Sequence, residues 1–360
     1  MLFSPGFSPN WQVVAACRSV VGLCCGCQLV VNYTLAVEHL RPQQRMLQRG
    51  FVTWGFSRAL LTLVCWALGD WRTSAIVTSL VQIPHFLLLL LVVPESVTFL
   101  ESKGQHEQAQ ASRRRIAWLN GKTSAGAEQE PPRSAEATNA RAGAPTWKKK
   151  TYTVLDLLTH RQTAKLTVVS CVMWFASSLS SYTSDLNSRN LSGHFFYIQL
   201  AFSLSSALSK QAMFWLDTYW TAMGRRMLHQ SAQTMTVVFF LSVAAAIYIG
   251  QSSSPLPRAL VVGLNVAAAT FVEYTWDANY LTASEGFPTE VRAVGVGAAS
   301  FMARLGSLLA PQVAYLQTYW QPAPYLVVSG VGLLSLLFSC VLLEETKGQE
   351  LPTLIRNLSK

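Results

Sequence analysis

Charged residues are scarce in this chain of 360 residues. Lys, Arg, Asp and Glu together make up 13% of it, whereas a soluble domain usually carries about 25%. Hydrophobic residues make up 51%, and several stretches that are long enough to cross a bilayer hold almost no charge. The shortage of charge therefore excludes an ordinary soluble fold.

Residues that build catalytic and metal sites are also few. The chain has six His and seven Cys, and every Cys lies in an apolar stretch, which is not the pattern of a disulfide framework. The run Cys24-Cys25-x-Cys27 has no His or carboxylate in step with it on the same helix. No nucleophile stands beside a matched base, and no Gly-rich phosphate loop is found. We expect no metal, no cofactor and no enzymatic activity.

Nine apolar stretches of membrane-spanning length follow one another along the chain. Lipid offers no hydrogen-bond partners to an open backbone, so each stretch is predicted to be a helix. The predicted fold class is all-α, a polytopic membrane protein. The predicted spans are 11–37, 51–69, 73–93, 166–186, 195–216, 231–250, 258–283, 293–316 and 323–343.

Basic residues are distributed unevenly between alternate loops. One set of loops holds 21 Lys and Arg, and the other holds only Arg72 and Arg189. Because cytoplasmic loops collect basic residues, we predict an outside N-terminus and an inside C-terminus. The net charge of +10 then reflects topology rather than nucleic-acid binding. Asn190 opens a glycosylation sequon on the predicted outer side, and Lys148-Lys149-Lys150 is predicted to attract anionic membrane lipid.

Two short motifs recur six spans apart. The pattern Tyr-x-x-Ala-x-Glu-x6-Arg ends at Arg45 after span 1 and at Arg292 after span 7. Acidic motifs also follow spans 3 and 9. These echoes indicate a parallel repeat of six-helix halves. The nine spans would then correspond to helices 4–12 of twelve, with three helices expected upstream.

The predicted domain organisation follows from the repeat. The last three helices of the first half occupy 1–93, and a complete second half occupies 163–343. Between them, 94–162 begins as an amphipathic helix over 102–119 and continues as a disordered linker rich in Gly, Ala and Pro. A cytoplasmic tail occupies 344–360.

Four sequence motifs occur in order along the chain. They begin with Pro94-Glu-Ser, Glu285-Gly-Phe-Pro-Thr, Ala303-Arg-Leu-Gly-Ser and Glu345-Thr-Lys-Gly. As a set they resemble motifs of the organic cation, anion and zwitterion transporters, solute carrier family 22 of the major facilitator superfamily. The resemblance covers almost the whole chain and is nearest to the family's orphan branch. It implies a plasma-membrane carrier that moves small organic ions by alternating access.

The resemblance also implies a charge clamp at the cytoplasmic helix ends, for which solvated loop charge is the alternative. Its residues are Glu38, Arg45, Glu95, Arg225, Arg226, Glu285, Arg292 and Glu345. Three of the family's patterns are altered here. Val97-Thr-Phe replaces Pro-Arg-Trp, Glu344 replaces the Pro that precedes Glu-Thr-Lys-Gly, and Asp217 lies seven residues before Gly224 instead of about three. A non-transporting, receptor-like pseudo-carrier with a protein ligand is therefore the alternative function.

Arg304, near the middle of span 8, is the sharpest candidate for substrate binding. A charge at this depth costs about 2.5–3.5 kcal/mol, and a guanidinium can bind a carboxylate or sulfate through two hydrogen bonds. By the resemblance, anion-transporting members carry Arg at this point, whereas cation transporters tend to carry Asp. Organic anions are therefore the favoured substrates. The alternative is a structural ion pair with Glu273 or Asp277.

Other polar and aromatic residues within spans complete the predicted site. Lys210 resembles a Lys of the anion-type members, and snorkelling to the membrane surface is its alternative role. Glu273 and Asp277 share one helix face. They would relay protons, bind cations or form a salt bridge with Arg304, Lys210 or Arg58. Aromatic residues would line the cavity or pack against lipid. The full candidate set is Arg304, Lys210, Glu273, Asp277, Arg58, Tyr274 and Trp276.

Overall fold

The structure is a computed structural model in which the described residues are mostly helical. It describes residues 10–39, 54–95, 97, 100, 105–119, 121, 153–188, 194–219, 224–249, 255–288 and 291–345. Within these residues there is no β-strand, and the all-α class predicted from the apolar stretches is confirmed.

A helix lies at each of the nine predicted spans. In the described residues the α-helices are α1 (Trp11–His39), α2 (Trp54–Leu68), α3 (Trp71–Leu91), α4 (His106–Leu119), α5 (Val154–Thr159), α6 (Arg161–Asn187), α7 (Phe195–Tyr219), α8 (Arg225–Ile249), α9 (Pro255–Gly286), α10 (Arg292–Tyr315) and α11 (Ala323–Leu342). Of the two that are not predicted spans, α4 lies within the predicted amphipathic helix and α5 is short.

Five of the described helices are long and apolar enough to cross a membrane by themselves. They cover 161–187, 225–249, 259–286, 294–318 and 323–342. Trp11–Cys25 and Trp54–Leu68 form shorter apolar helical segments. The polytopic membrane architecture is confirmed, and the count of nine crossings stays a prediction.

The chain divides into two compact units. The first comprises Met1–Gln48 and Val64–Lys150, and the second comprises Arg49–Leu63 and Thr151–Lys360. Within the first unit, the Arg115 guanidinium donates to the carbonyl of Leu91, at the end of α3. The second unit holds α5 to α11 with the first part of α2, and it contains the candidate substrate-binding residues.

A tight turn joins α2 to α3. Gly69 adopts a left-handed conformation with φ of +65°, which glycine adopts without steric cost, and its N–H donates to the carbonyl of Cys65 at 3.1 Å. Asp70 then caps α3, because its carboxylate accepts from the backbone N–H and the hydroxyl of Thr73, both at 3.0 Å. These bonds, the backbone one foremost, hold the pKa of the Asp70 carboxyl below its usual range.

Two hydrophobic clusters organise the second unit. The first joins α6, α9 and α10 through Trp174, Phe287 and Ala303 among others. Here α6 and α10 pack closely, because a Cβ added to Gly306 would lie 2.6 Å from the carbonyl oxygen of Phe175. The second cluster joins α8, α9 and α11 around the buried ring of Phe240. Helix α9 takes part in both clusters and therefore links them.

Candidate functional site

One end of the second unit, where α8 begins and α9 and α11 end, is rich in paired charges; we call it the charged end. The Glu345 carboxylate accepts from the backbone N–H of Arg225 at 2.7 Å and from that of Arg226 at 3.2 Å. A carboxylate at this position satisfies two open donors and complements the positive end of the helix dipole. Glu345 therefore caps α8 from 120 residues away.

The side chains at the charged end tie three helices together. The Arg225 guanidinium donates to both carboxylate oxygens of Glu285, at 3.2 and 3.3 Å, close to the end of α9. The Arg226 guanidinium donates to the carbonyl of Cys340, in α11, at 2.7 Å. Arg225 is 7% exposed, whereas the Glu285 side chain is 28% exposed, so water reaches this ion pair from the glutamate side. The prediction placed span 6 at 231–250, whereas α8 begins six residues earlier because of this cap.

Gly224 and Gly295 each lie so close to a neighbouring side chain that no larger residue fits without a shift. A Cβ on Gly224 would overlap the carboxylate of Glu345, and a Cβ on Gly295 would lie 2.7 Å from the ring of Phe287. Beside that ring, the Arg292 guanidinium donates to the Phe287 carbonyl at 3.2 Å. The first turn of α10 thus packs closely on Phe287, which follows α9.

The structure brings four of the eight predicted clamp residues into one cluster, namely Arg225, Arg226, Glu285 and Glu345. Glu95 is exposed in the first unit. The side chain of Glu38 and the whole of Arg45 lie outside the described residues, as does the predicted glycosylation site Asn190. The role of these residues as a transport gate stays a prediction.

A second ionic cluster, the Lys210 cluster, joins α7 to α9 inside the bundle. The Lys210 ammonium lies 2.7 Å from Asp277 Oδ1 and 3.3 Å from Glu273 Oε2, and it donates to the backbone carbonyl of Glu273 at 3.2 Å. The three side chains are 13% (Lys210), 20% (Glu273) and 17% (Asp277) exposed. One cation thus meets two carboxylates in a half-buried setting.

The Lys210 cluster lies deep in the bundle. Lys210 is nine residues before the end of α7, and Asp277 is nine residues before the end of α9. A rise of 1.5 Å per residue puts both about 14 Å from the charged end, which is near the middle of a hydrocarbon layer of about 30 Å. Of the alternatives left open for the two acids, the structure shows a salt bridge, with Lys210 as its cation.

Arg304 is on an exposed face of α10. It is twelve residues into the helix, about 18 Å from the charged end. Phe301 and Leu308 on the same face are 63% and 65% exposed. Glu273 and Asp277 pair with Lys210, and in the described part of the chain Arg304 forms no ion pair with either of them. The structural pair considered for Arg304 is not formed.

Arg58 is held by residues outside the Lys210 cluster. Its guanidinium donates to both carboxylate oxygens of Asp185, at 2.8 and 3.2 Å, and to the Gln199 side chain at 2.6 Å. Asp185 lies two residues before the end of α6. Asp185 was not among the predicted site residues.

An aromatic group lies between α6 and α9. The ring centroid of Trp174 is 4.5 Å from that of Tyr280 and 5.6 Å from that of Trp276, both in edge-on arrangements. Trp174 is buried, Trp276 is partly buried and Tyr280 is 40% exposed. Tyr274, the other predicted aromatic, packs edge-on against Phe271 at 5.7 Å. Trp174, Trp276 and Tyr280 thus form one aromatic wall with an accessible edge, whereas Tyr274 packs in a separate cluster with Met213 and Leu228.

A buried polar seam also joins α6 to α9, and it was not predicted. The Ser177 and Thr275 hydroxyls are 3.0 Å apart, and the Asn279 amide donates to Ser177 at 2.9 Å. About two turns further along α6, Ser184 donates to Asn265, which donates to Tyr325, each at 2.8 Å. Such bonds hold membrane helices together where hydrophobic burial cannot. The signal in the sequence was the seven-residue spacing of Ser177 and Ser184.

Comparison with known proteins places the chain among transporters. The family model described as Sugar (and other) transporter matches residues 1–357. A Caenorhabditis elegans protein described as uncharacterized is 37% identical over 98% of this chain and 68% of its own length. Solute carrier family 22 member 7 of Bos taurus is 29% identical, over 98% of this chain and 62% of its own length. The organic cation transporter-like protein of Drosophila melanogaster is 26% identical, over 94% of this chain and 59% of its own length.

A solved structure shares the fold. The proton:xylose symporter of the major facilitator superfamily superposes with a TM-score of 0.53 at 18% identity, over 85% of this chain and 68% of that one. The chain spans 62% of the length of the Bos taurus transporter and 59% of the length of the Drosophila melanogaster protein. Neither protein is described as a receptor. The predicted resemblance to solute carrier family 22 is confirmed. Since the family model matches nearly every residue, the chain belongs to the Sugar (and other) transporter family, within the major facilitator superfamily.

Proposed function

We propose that this transporter chain carries small organic anions by alternating access and that Arg304 supplies the positive charge of the substrate site. One observation carries the proposal. Arg304 lies at mid-depth on an exposed helix face, while the two acids available to neutralise it are held by Lys210. A guanidinium facing hydrocarbon is costly. A substrate carboxylate or sulfate would supply its missing partner through two parallel hydrogen bonds.

The organic part of the substrate would pack against the aromatic wall. Trp276 and Tyr280 each leave part of the ring accessible, and Trp174 fixes both rings from behind through edge-on contacts. Binding sites for small molecules combine such apolar surfaces with a few polar groups that set orientation. The resemblance supports the same assignment, because anion-transporting members carry an Arg at the position of Arg304.

Alternating access is supported by the charged end. The bonds from Arg225 to Glu285 and from the start of α8 to Glu345 join the ends of three helices, where small rigid-body movements would break and remake them. Breaking an ion pair is least costly at the membrane surface, since water solvates the released charges. We assign the charged end to the cytoplasmic side of the plasma membrane.

The orientation has its own test. A tag placed after Lys360 is expected to stain only in permeabilised cells, and Asn190 is expected to carry glycan. Glycan at Asn357, which also begins a sequon, or staining of the tag in intact cells would reverse the assignment.

Uptake measurements test the substrate class. Cells expressing this chain, in parallel with a form extended to twelve spans, are given radiolabelled aromatic carboxylates, sulfate esters and organic cations. We expect uptake of the anions, and Arg304→Gln is expected to reduce it to background at unchanged surface level. Arg72→Gln, which removes the same charge from the exposed start of α3, is the matched control. Uptake of cations alone, or anion uptake that is equal in both variants, contradicts the proposal.

A further inference from the structure

The ammonium group of Lys210 is fully engaged by its own chain. An ammonium carries three N–H donors. Three acceptors surround this one: Asp277 Oδ1 at 2.7 Å, the Glu273 carbonyl at 3.2 Å and Glu273 Oε2 at 3.3 Å. A ligand anion at Lys210 would therefore have to displace one of these three oxygens.

The charge of the Lys210 cluster also opposes an anion. Two carboxylates and one ammonium give a formal surplus of one negative charge. In a half-buried site the effective dielectric constant is well below that of water, so the surplus acts strongly on a charge several ångströms away. In the described residues, no ion pair reaches the cluster from α6, α8 or α10, the other helices packed on α9. The surplus is therefore not offset by a fourth protein group there.

We infer that Glu273 and Asp277 are internal ligands of Lys210 that keep it closed to anions and thereby limit the anion affinity of the transporter. The inference rests on the proposed function in one respect, because it names the residues that tune the same anion site. Lys210 is then a counter-ion for two acids in the resting chain, and Arg304 is the cation open to substrate.

The two acids differ in how readily they release Lys210. Asp277 makes the shorter contact, at 2.7 Å, and Glu273 the longer one, at 3.3 Å. The Glu273 side chain is also the more exposed of the two, at 20% against 17%. Moreover, the Glu273 backbone carbonyl still accepts from Lys210 when the side chain leaves. Glu273 is therefore the ligand that an incoming anion displaces first.

Chemical labelling of Lys210 tests the inference without relying on transport. The full chain is purified in detergent and treated with methyl acetimidate, and amidination of the Lys210 peptide is followed by mass spectrometry. Wild type is expected to be protected, whereas Glu273→Gln/Asp277→Asn is expected to react about tenfold faster, the change that 1.4 kcal/mol produces. Glu344→Gln removes one exposed acid outside the cluster and is expected to match wild type. Equal rates in all three proteins overturn the inference.

The single variant Glu273→Gln keeps the test decisive if the double variant does not fold. It retains the Asp277 contact and is expected to label at an intermediate rate, and a rate equal to wild type overturns the inference. Benzoate affinity, measured by calorimetry, gives the second readout, and Glu273→Gln is expected to raise it by about tenfold. If benzoate binds to none of these proteins, the proposed anion transport fails, while the labelling rates still decide the role of the two acids.

Discussion

The two ionic clusters of the second unit differ in charge balance and in what they hold. At the charged end, two arginines meet two glutamates, and one of the carboxylates is bound to backbone N–H groups at the start of α8. In the Lys210 cluster, one cation meets two carboxylates, and both contacts are between side chains. Helix α9 contributes acids to both clusters.

This difference in charge balance separates charges that stabilise the fold from charges that are available to act on a ligand. A balanced cluster at a helix end satisfies donors that every helix leaves open, so it would be expected in a purely structural protein. An unbalanced cluster at mid-depth has no such reason, because insertion of each charge is costly. The free-energy cost of inserting these charges has a functional explanation if the surplus negative charge sets the affinity for a ligand.

Lys210→Ala is expected to have the largest effect. It leaves Glu273 and Asp277 without a cation, and breaking a buried pair in this way costs about 3–5 kcal/mol. The expected result is loss of monodisperse protein and a large fall in thermal stability in detergent. The neutral variant Lys210→Gln/Glu273→Gln/Asp277→Asn is expected to recover both, since no charge remains. If Lys210→Ala is as stable as wild type, the cluster does not exist as described.

Gly224→Ala is expected to have an intermediate effect at the charged end. The added Cβ would overlap the Glu345 carboxylate and displace the cap of α8, and loss of a helix cap costs about 0.5–2 kcal/mol. Gly330→Ala, in α11, is the matched control, because nothing lies within 4 Å of its added Cβ. It is expected to be neutral or slightly stabilising. Equal melting temperatures for the two variants would show that Glu345 does not stabilise the start of α8.

The smallest expected effect is a difference in salt dependence. Coupling energies are measured by double-mutant cycles for Arg225 with Glu285 and for Lys210 with Glu273. Raising the ionic strength from about 0.15 M to 1 M shortens the screening length from about 8 Å to 3 Å, so we expect the first coupling to weaken. The second is expected to change little, because its groups lie at mid-depth. Equal salt dependence would place both clusters in the same environment.

The fold was largely predictable, because hydropathy over a span-length window decides whether a segment can enter a membrane. The start of α8 was not, since its cap, Glu345, is 120 residues distant in sequence. For the same reason the Arg58 and Asp185 pair, 127 residues apart, was missed. The acids on α9 had three possible cations, Arg304, Lys210 and Arg58, and only the rotation of each helix decides between them.

Benzoate binding to two purified variants, measured by calorimetry, tests most directly whether Arg304 or Lys210 is the cation that meets the substrate. One variant is Arg304→Gln, and the other is the neutral variant of the Lys210 cluster. The account predicts that Arg304→Gln abolishes binding, whereas the neutral variant binds benzoate at least as tightly as wild type, because a repelling negative charge has been removed. Retained binding in Arg304→Gln together with lost binding in the neutral variant would contradict the account and assign the substrate to Lys210.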